Sequence, residues 1–262
     1  MLRERKPSNM RFSRALLAFA LLFLAGCGGK STNPTSPGSS SLSDPRPVFP
    51  NVVGQPLAGV AAGNGRLVAV GSNGALKTSS DGRTWIGAAV PVDVNLRGAV
   101  YGNGVWVAVG DAQTIIYSTD AVTWRVASVP LSGVGFRGAA YGNGRFVATA
   151  SDGVILTSTD GAAWTQVNSG TTNILWGATY SRGLFIVTGQ YGTILTSPDT
   201  QAWTPRASGT SNFIWQVVDG PGGFVAVGDE GTPLHSTNGV AWTMRPSPTR
   251  EVLRGVAFGQ SQ

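Results

Sequence analysis

From Leu57 onward the apolar residues come in short runs, and no run keeps the three-to-four spacing of a helix. One stretch shows the pattern clearly. Phe136-Arg137-Gly138-Ala139-Ala140-Tyr141 stops at Gly142-Asn143-Gly144, and Arg145 to Thr149 stops at Ser151-Asp152-Gly153. Val154 to Ser158 follows, and after a polar turn Trp164 to Asn168 closes the set. Runs of about five residues rich in Val, Ile, Phe and Thr, bounded by Gly, Asn and Asp, predict four strands joined by tight turns.

The set recurs. Its polar turn is a seven-residue box, Ser-x-Asp/Asn-x-x-x-Trp, whose tryptophans stand 39, 40, 39 and 39 residues apart. The defining residues are Ser79, Asp81 and Trp85; Ser118, Asp120 and Trp124; Ser158, Asp160 and Trp164; Ser197, Asp199 and Trp203; and Ser236, Asn238 and Trp242. A constant period of that size marks a repeat architecture. Four strands in about 40 residues make one blade of an all-β propeller. A β-helix coil is shorter than this period, and a sandwich has no reason to space Trp evenly. The first strand of each set agrees with a propeller axis. Leu57-Ala-Gly-Val, Leu96-Arg-Gly-Ala and Leu175-Trp-Gly-Ala keep small residues where blades converge. Second strands such as Leu67-Val-Ala-Val are continuously apolar, as strands buried on both faces are.

Five sets are complete, and Leu253 to Phe258 begins a sixth. Val48 to Gln55 reads as a fourth strand, which leaves that sixth blade without its middle pair. Two readings follow: the chain is truncated relative to a six-to-eight-bladed form, or five blades close on themselves.

Within the box, Asp and Ser side chains accept from nearby turn N–H groups. The Trp buries its roughly 150–250 Å² against the next blade. The box resembles the Asp-box, or BNR, repeat of sialidases, sortilin-type receptors and photosystem II stability/assembly factors, in a form one residue shorter. That resemblance implies a propeller and makes the Asp residues turn staples, not catalysts or metal ligands.

Function is sought where the aligned repeats differ. The second position of the first strand reads Ala58, Arg97, Arg137, Trp176, Trp215 and Arg254. Equivalent strands place these side chains in a ring at one end of the axis, a candidate site for an anion, a carboxylate or a peptide terminus. In the photosystem assembly factors, arginines around the axis belong to a client-binding face, so the resemblance implies a protein or peptide client. The alternative is a carbohydrate-binding or sialidase-type propeller, a glycoside hydrolase with an Arg triad, an acid and a Tyr–Glu pair. Arg97, Arg137 and Arg254 imitate the triad, but only Glu230 and Glu251 are available beyond the leader. Tyr101, Tyr141 and Tyr180 recur at one repeat position and read as structural, and the Phe-Arg-Ile-Pro signature is missing. A third reading is a purely structural envelope protein. His235 is the single histidine, which excludes a His-based metal cluster or a Ser-His-Asp triad. Asp152 and the pair Asp229-Glu230 read as solvated turn residues. The repeated Gly-Asn-Gly segments read as hairpin turns, not phosphate loops. No cofactor and no catalytic residue is assigned.

The start of the chain changes the setting. Five basic residues precede the apolar run Ala15 to Ala25, which is too short to cross a bilayer. The run ends in Leu24-Ala25-Gly26-Cys27, which resembles a bacterial lipobox. The resemblance implies cleavage after residue 26 and lipidation of Cys27. Gly28 in the next position implies the outer membrane. Residues 27–44, rich in Gly, Ser, Thr and Pro, read as a tether, with the propeller over 45–262. Five of the 19 basic side chains and one of the 13 acidic ones lie in residues 1–26, which leaves 14 against 12, a net charge of +2. So weak an excess excludes a nucleic-acid reading from charge. The sequence therefore predicts a lipid-anchored propeller of the bacterial cell envelope, periplasmic or surface-facing. It would serve as a non-catalytic binding or assembly-scaffold module for a protein, peptide or glycan client.

Overall fold

A computed structural model describes residues 55–258. The expected leader, Cys27, the tether and all but Gln55 of the strand expected over Val48 to Gln55 lie outside the described residues. Five four-stranded antiparallel sheets follow one another, each with its strands in sequence order. In the third, Phe136–Gly142, Arg145–Ala150, Ile155–Ser158 and Thr165–Val167 run from the axis outward. The other inner strands are Leu57–Gly63, Leu96–Gly102, Leu175–Ser181 and Ile214–Gly220. Each inner strand packs beside that of the following blade. The fold is the predicted all-β propeller of four-stranded blades.

Crowding at the axis explains the small residues. A Cβ on Gly138 would stand 2.1 Å from the Trp176 carbonyl oxygen. At the far end of the inner strands, an aromatic of one blade lies over a glycine of the blade before. Tyr101 covers Gly63, Tyr141 covers Gly102 and Tyr180 covers Gly142, where added Cβ atoms would meet ring carbons at 2.2, 2.0 and 1.9 Å. The fourth-to-fifth junction changes both partners together. Asp219 replaces the tyrosine, Ser181 replaces the glycine, and the Ser181 hydroxyl donates to Asp219 at 2.7 Å. Arg182 adds an ion pair to Asp219 at 2.8 Å.

The segment Leu253 to Phe258 takes the next inner position beside blade five without forming a sheet of its own. The Val256 N–H donates to Gln216 Oε1 at 2.9 Å, and Phe258 covers Gly220 as the tyrosines cover theirs. The described residues therefore do not close as five blades, because this segment occupies the flank where blade one would have to dock. On the free side of blade one Val60 is 64% exposed, whereas Val217, its repeat equivalent, is 2% exposed.

The boxes work as the sequence predicts, with one correction. In blade three, Ser158 Oγ accepts from Gly161 N–H at 2.8 Å. Asp160 accepts from Ala162 and Ala163 N–H at 2.8 and 3.0 Å. Asn238 accepts in the same way from Val240 and Ala241. The tryptophan, however, packs toward the preceding blade, not the next. Trp164 joins Val107, Val109 and Ile115 of blade two, and Trp242 joins Ile186 and Ile194 of blade four. The reason lies in the pleat: in blades three, four and five the box Trp stands beside the Phe of its own second strand, as Trp164 does beside Phe146 at 6.4 Å. That face of the blade looks backward.

The fourth box position has a left-handed backbone in all five copies, with φ of 70°, 60°, 74°, 69° and 75° at Gly82, Ala121, Gly161, Thr200 and Gly239. Where it is glycine, its carbonyl accepts the Trp indole N–H, at 3.2, 2.9 and 3.0 Å. Where it is Ala121 or Thr200, the indole nitrogens of Trp124 and Trp203 are buried without a partner.

Candidate functional site

Strand direction separates the two ends of the propeller. Each inner strand starts at one end and turns back at its Gly-Asn-Gly hairpin or equivalent, so its second residue lies at the opposite end from the boxes. The same end receives the loop between second and third strands and the link from each outer strand to the next blade.

At this end the varied positions do meet, as an arc and not a full ring. Arg97 donates from Nε and Nη2 to the two oxygens of Asp111, at 3.2 and 2.6 Å. Arg137 Nη1 reaches the same carboxylate at 2.6 Å, and Asn95 Nδ2 donates at 3.1 Å. The Arg137 guanidinium lies 5.1 Å from the centre of the Trp176 ring. Trp176 meets Trp215 edge-on at 4.7 Å, and Phe213 stacks on Trp215 at 4.0 Å with 13° between planes. Arg254 then lies 5.0 Å over Trp215. Ala58 is exposed and contributes only a small side chain.

The electrostatics favour an anion. Two guanidiniums share one carboxylate, which leaves a net positive charge and spare donors, since each guanidinium carries five N–H groups. Arg137 Nε is buried and has no partner among the described residues. Partial burial acts to raise the Asp111 pKa. Hydrogen bonds from Arg97 and Asn95 and the charges of Arg97 and Arg137 outweigh it and hold the carboxyl below its ordinary value. Arg254 is exposed, and no ion pair engages it among the described residues. Its contact is the face of Trp215, an arrangement worth about 0.5–1 kcal/mol at an exposed site.

Four members of the arc escaped the sequence reading, two of them acidic. Asp229 was expected to be a solvated turn residue, but it accepts the Trp215 indole N–H at 2.6 Å. Asp111 holds two arginines at once. Both follow the last residue of a second strand, in a column that reads Ser72, Asp111, Ser151, Gln190 and Asp229. That column faces the arc column across the first hairpin, so its variation was the available signal. Phe213 and Asn95 each stand immediately before an inner strand, in a column that reads Pro56, Asn95, Gly135, Ile174 and Phe213, whose variation was a signal as well. Asp152 and Glu230 are exposed, as expected.

The residues a sialidase-type site would need lie apart. Tyr101, Tyr141 and Tyr180 sit on glycines at the hairpin end. Glu230, in the loop between second and third strands of blade five, and Glu251, in the link that leaves it, lie at the arc end, where the Gly231 N–H donates to the Glu251 carbonyl at 2.8 Å. His235 lies on the third strand of blade five, with Nε2 3.1 Å from the Gly222 carbonyl.

No family model matches the chain, and no curated protein matches it significantly in sequence. Solved structures do match. YCF48 bound to a D1 peptide is 18% identical with a TM-score of 0.58, over 77% of this chain and 70% of that one. YCF48 from Cyanidioschyzon merolae is 15% identical with a TM-score of 0.56, over 74% of each chain. A catalytically inactive H270A virginiamycin B lyase from Staphylococcus aureus, with quinupristin, is 13% identical with a TM-score of 0.66. It covers 77% of this chain and 73% of that one. The chain is a β-propeller, a fold that these similar structures use for a peptide-bound protein and for a lyase alike.

Proposed function

We propose that this propeller binds a protein or peptide client on its arc and acts as a non-catalytic scaffold. The observation that carries the reading is the unbroken series Asp111, Arg137, Trp176, Trp215 and Arg254, which pairs guanidinium donors with half-buried aromatic faces. Such a surface suits an acidic segment with an aromatic or apolar residue beside the acid, because Arg forks recognise carboxylates and Trp supplies stacking area. The similarity to YCF48, solved with a D1 peptide, supports a peptide client. The arc holds guanidiniums, indoles and two carboxylates already engaged as acceptors, which supports a binding role over an enzymatic one.

Arg254→Ala is the cleanest test, since it breaks no ion pair. Random peptides displayed and panned on the wild-type protein should yield acidic, aromatic-bearing sequences whose binding falls at least about tenfold on Arg254→Ala. Its melting temperature should fall by no more than about 4 °C, the cost of the lost Trp215 contact. A recovered pool that binds both proteins equally would overturn the proposal.

We also propose anchoring through a lipid on Cys27 in the outer membrane of a bacterial envelope. Supporting this are the apolar run that ends at Leu24-Ala25-Gly26-Cys27 and the polar tether that follows. Fatty-acid labelling should disappear in Cys27→Ala, and labelling that persists would contradict the assignment.

A further inference from the structure

Outside the arc, but at the same end of the molecule, a cleft of about 510 Å³ opens on the outer rim of blade four. That volume lies within the usual range for small-ligand sites. Two copies of one loop border it, Ser169-Gly-Thr-Thr-Asn173 and Ser208-Gly-Thr-Ser-Asn212. Both loops are locked: Ser169 and Ser208 donate to the carbonyls of Thr171 and Thr210, each at 3.1 Å.

Tyr191 stands at the mouth of the cleft in a left-handed turn with φ 55°. The equivalent turns hold Asn73, Ala112, Asp152 and Glu230, all at positive φ; Asn, Asp and Gly suit this conformation best, and Tyr191 is the bulkiest side chain of the five. A tyrosine here is unfavourable, and its ring is not repaid by burial, since it is 66% exposed. Strain held in place at a concave surface is a pointer to binding. Trp203 and Pro205 border the cleft from the outer strand. Arg206 donates Nε to Thr196 Oγ1 at 2.8 Å, which leaves its terminal nitrogens available. Among the described residues, no Asp or Glu lines the cleft.

We propose that this cleft is a saccharide subsite and that the sugar it takes carries a carboxylate. An exposed aromatic face suits the apolar face of a pyranose ring. The fixed hydroxyl and amide rim suits its hydroxyls. A single guanidinium with no opposing acid selects a uronic or similar acidic sugar. The site is separate from the arc and needs no client there.

The test uses tetragalacturonic acid and neutral galactotetraose as probes, in calorimetric titrations of the whole protein. The acidic probe should bind saturably with a dissociation constant of about 1 mM or tighter. Tyr191→Gly gives the turn the residue its backbone prefers, so the melting temperature should hold or rise while affinity falls at least about tenfold. Arg206→Gln should erase the preference for the acidic probe over the neutral one, and Arg254→Ala should leave both unchanged. Lack of saturable binding by either probe would overturn the proposal, as would full affinity in Tyr191→Gly. Loss in Arg254→Ala would place the sugar on the arc instead and equally overturn it.

Discussion

Replacing Gly142 with serine tests how the blades are spaced. The new Cβ would stand 1.9 Å from Cγ and Cδ1 of Tyr180. These atoms belong to the stem of the ring, so a change of rotamer at its tip gives no relief. The fourth inner strand must move, or the tyrosine must leave its seat against Phe185, where the rings now lie 4.5 Å apart. Overpacking of this kind costs about 1–3 kcal/mol. A melting point falls by about 2–4 °C per kcal/mol in a domain of this size, so a loss of roughly 2–12 °C is expected.

The molecule contains its own rescue, because one junction already uses serine opposite aspartate. Adding Tyr180→Asp to Gly142→Ser should restore a hydrogen bond and remove the clash together. The double variant should therefore be more stable than the sum of the single losses by about 1–2 kcal/mol. Asn143 stands where Arg182 supports the natural pair, so the gain belongs at the low end of that range. Urea unfolding of the four proteins, followed by tryptophan fluorescence, gives the cycle. A silent Gly142→Ser, or strictly additive losses, would refute the aromatic-on-glycine spacing.

Thr200→Gly should raise stability by about 1 kcal/mol. It relieves a left-handed non-glycine residue and a buried hydroxyl without a partner among the described residues, against the loss of the buried Cβ and methyl carbons; a lower melting point would show that its contacts outweigh the strain. Backbone N–H donors, Thr84 and Arg83 first, hold Asp81 down to about 2, and turn N–H groups likewise keep Asp120, Asp160 and Asp199 low. Folded values below the unfolded 3.8 mean that this stability is complete above pH 4 and lost as pH falls toward 2. Asp160→Asn, a copy of the natural Asn238 box, should flatten that acid limb and change little at neutral pH; an unchanged acid limb in thermal melts would contradict this. Asp111→Asn should strengthen binding of an acidic peptide by about tenfold, because it removes the internal anion from Arg97 and Arg137. Weaker binding in titration would show instead that Asp111 positions the two arginines.

Much of the fold was legible because a propeller repeats its constraints. Gly138 and its equivalents Gly59, Gly98 and Gly177 are small for want of room at the axis, with Gln216 of blade five as the exception, and the box fixes the register in which Arg97, Arg137, Trp176, Trp215 and Arg254 fall into one column. Partnership was harder to read. Asp111 lies in a turn composed like any solvated turn, and only the hairpin brings it back to Arg97 and the neighbouring blade brings Arg137 to it. Trp164 revealed its strand but not which neighbour it would face, since that depends on the pleat and the order of blades. Tyr191 passed unnoticed because its side chain gives no hint that its φ is positive; alignment with Asn73 and Asp152 would have shown it.

The arc as the client face is most directly tested by the indole N–H signals of the eight tryptophans during titration with an acidic, aromatic-bearing peptide selected by panning. Trp176 and Trp215 should shift together and saturably, while Trp85, Trp124, Trp164 and Trp242 at the box end stay in place. Shifts confined to the box tryptophans, or binding that moves neither Trp176 nor Trp215, would contradict it.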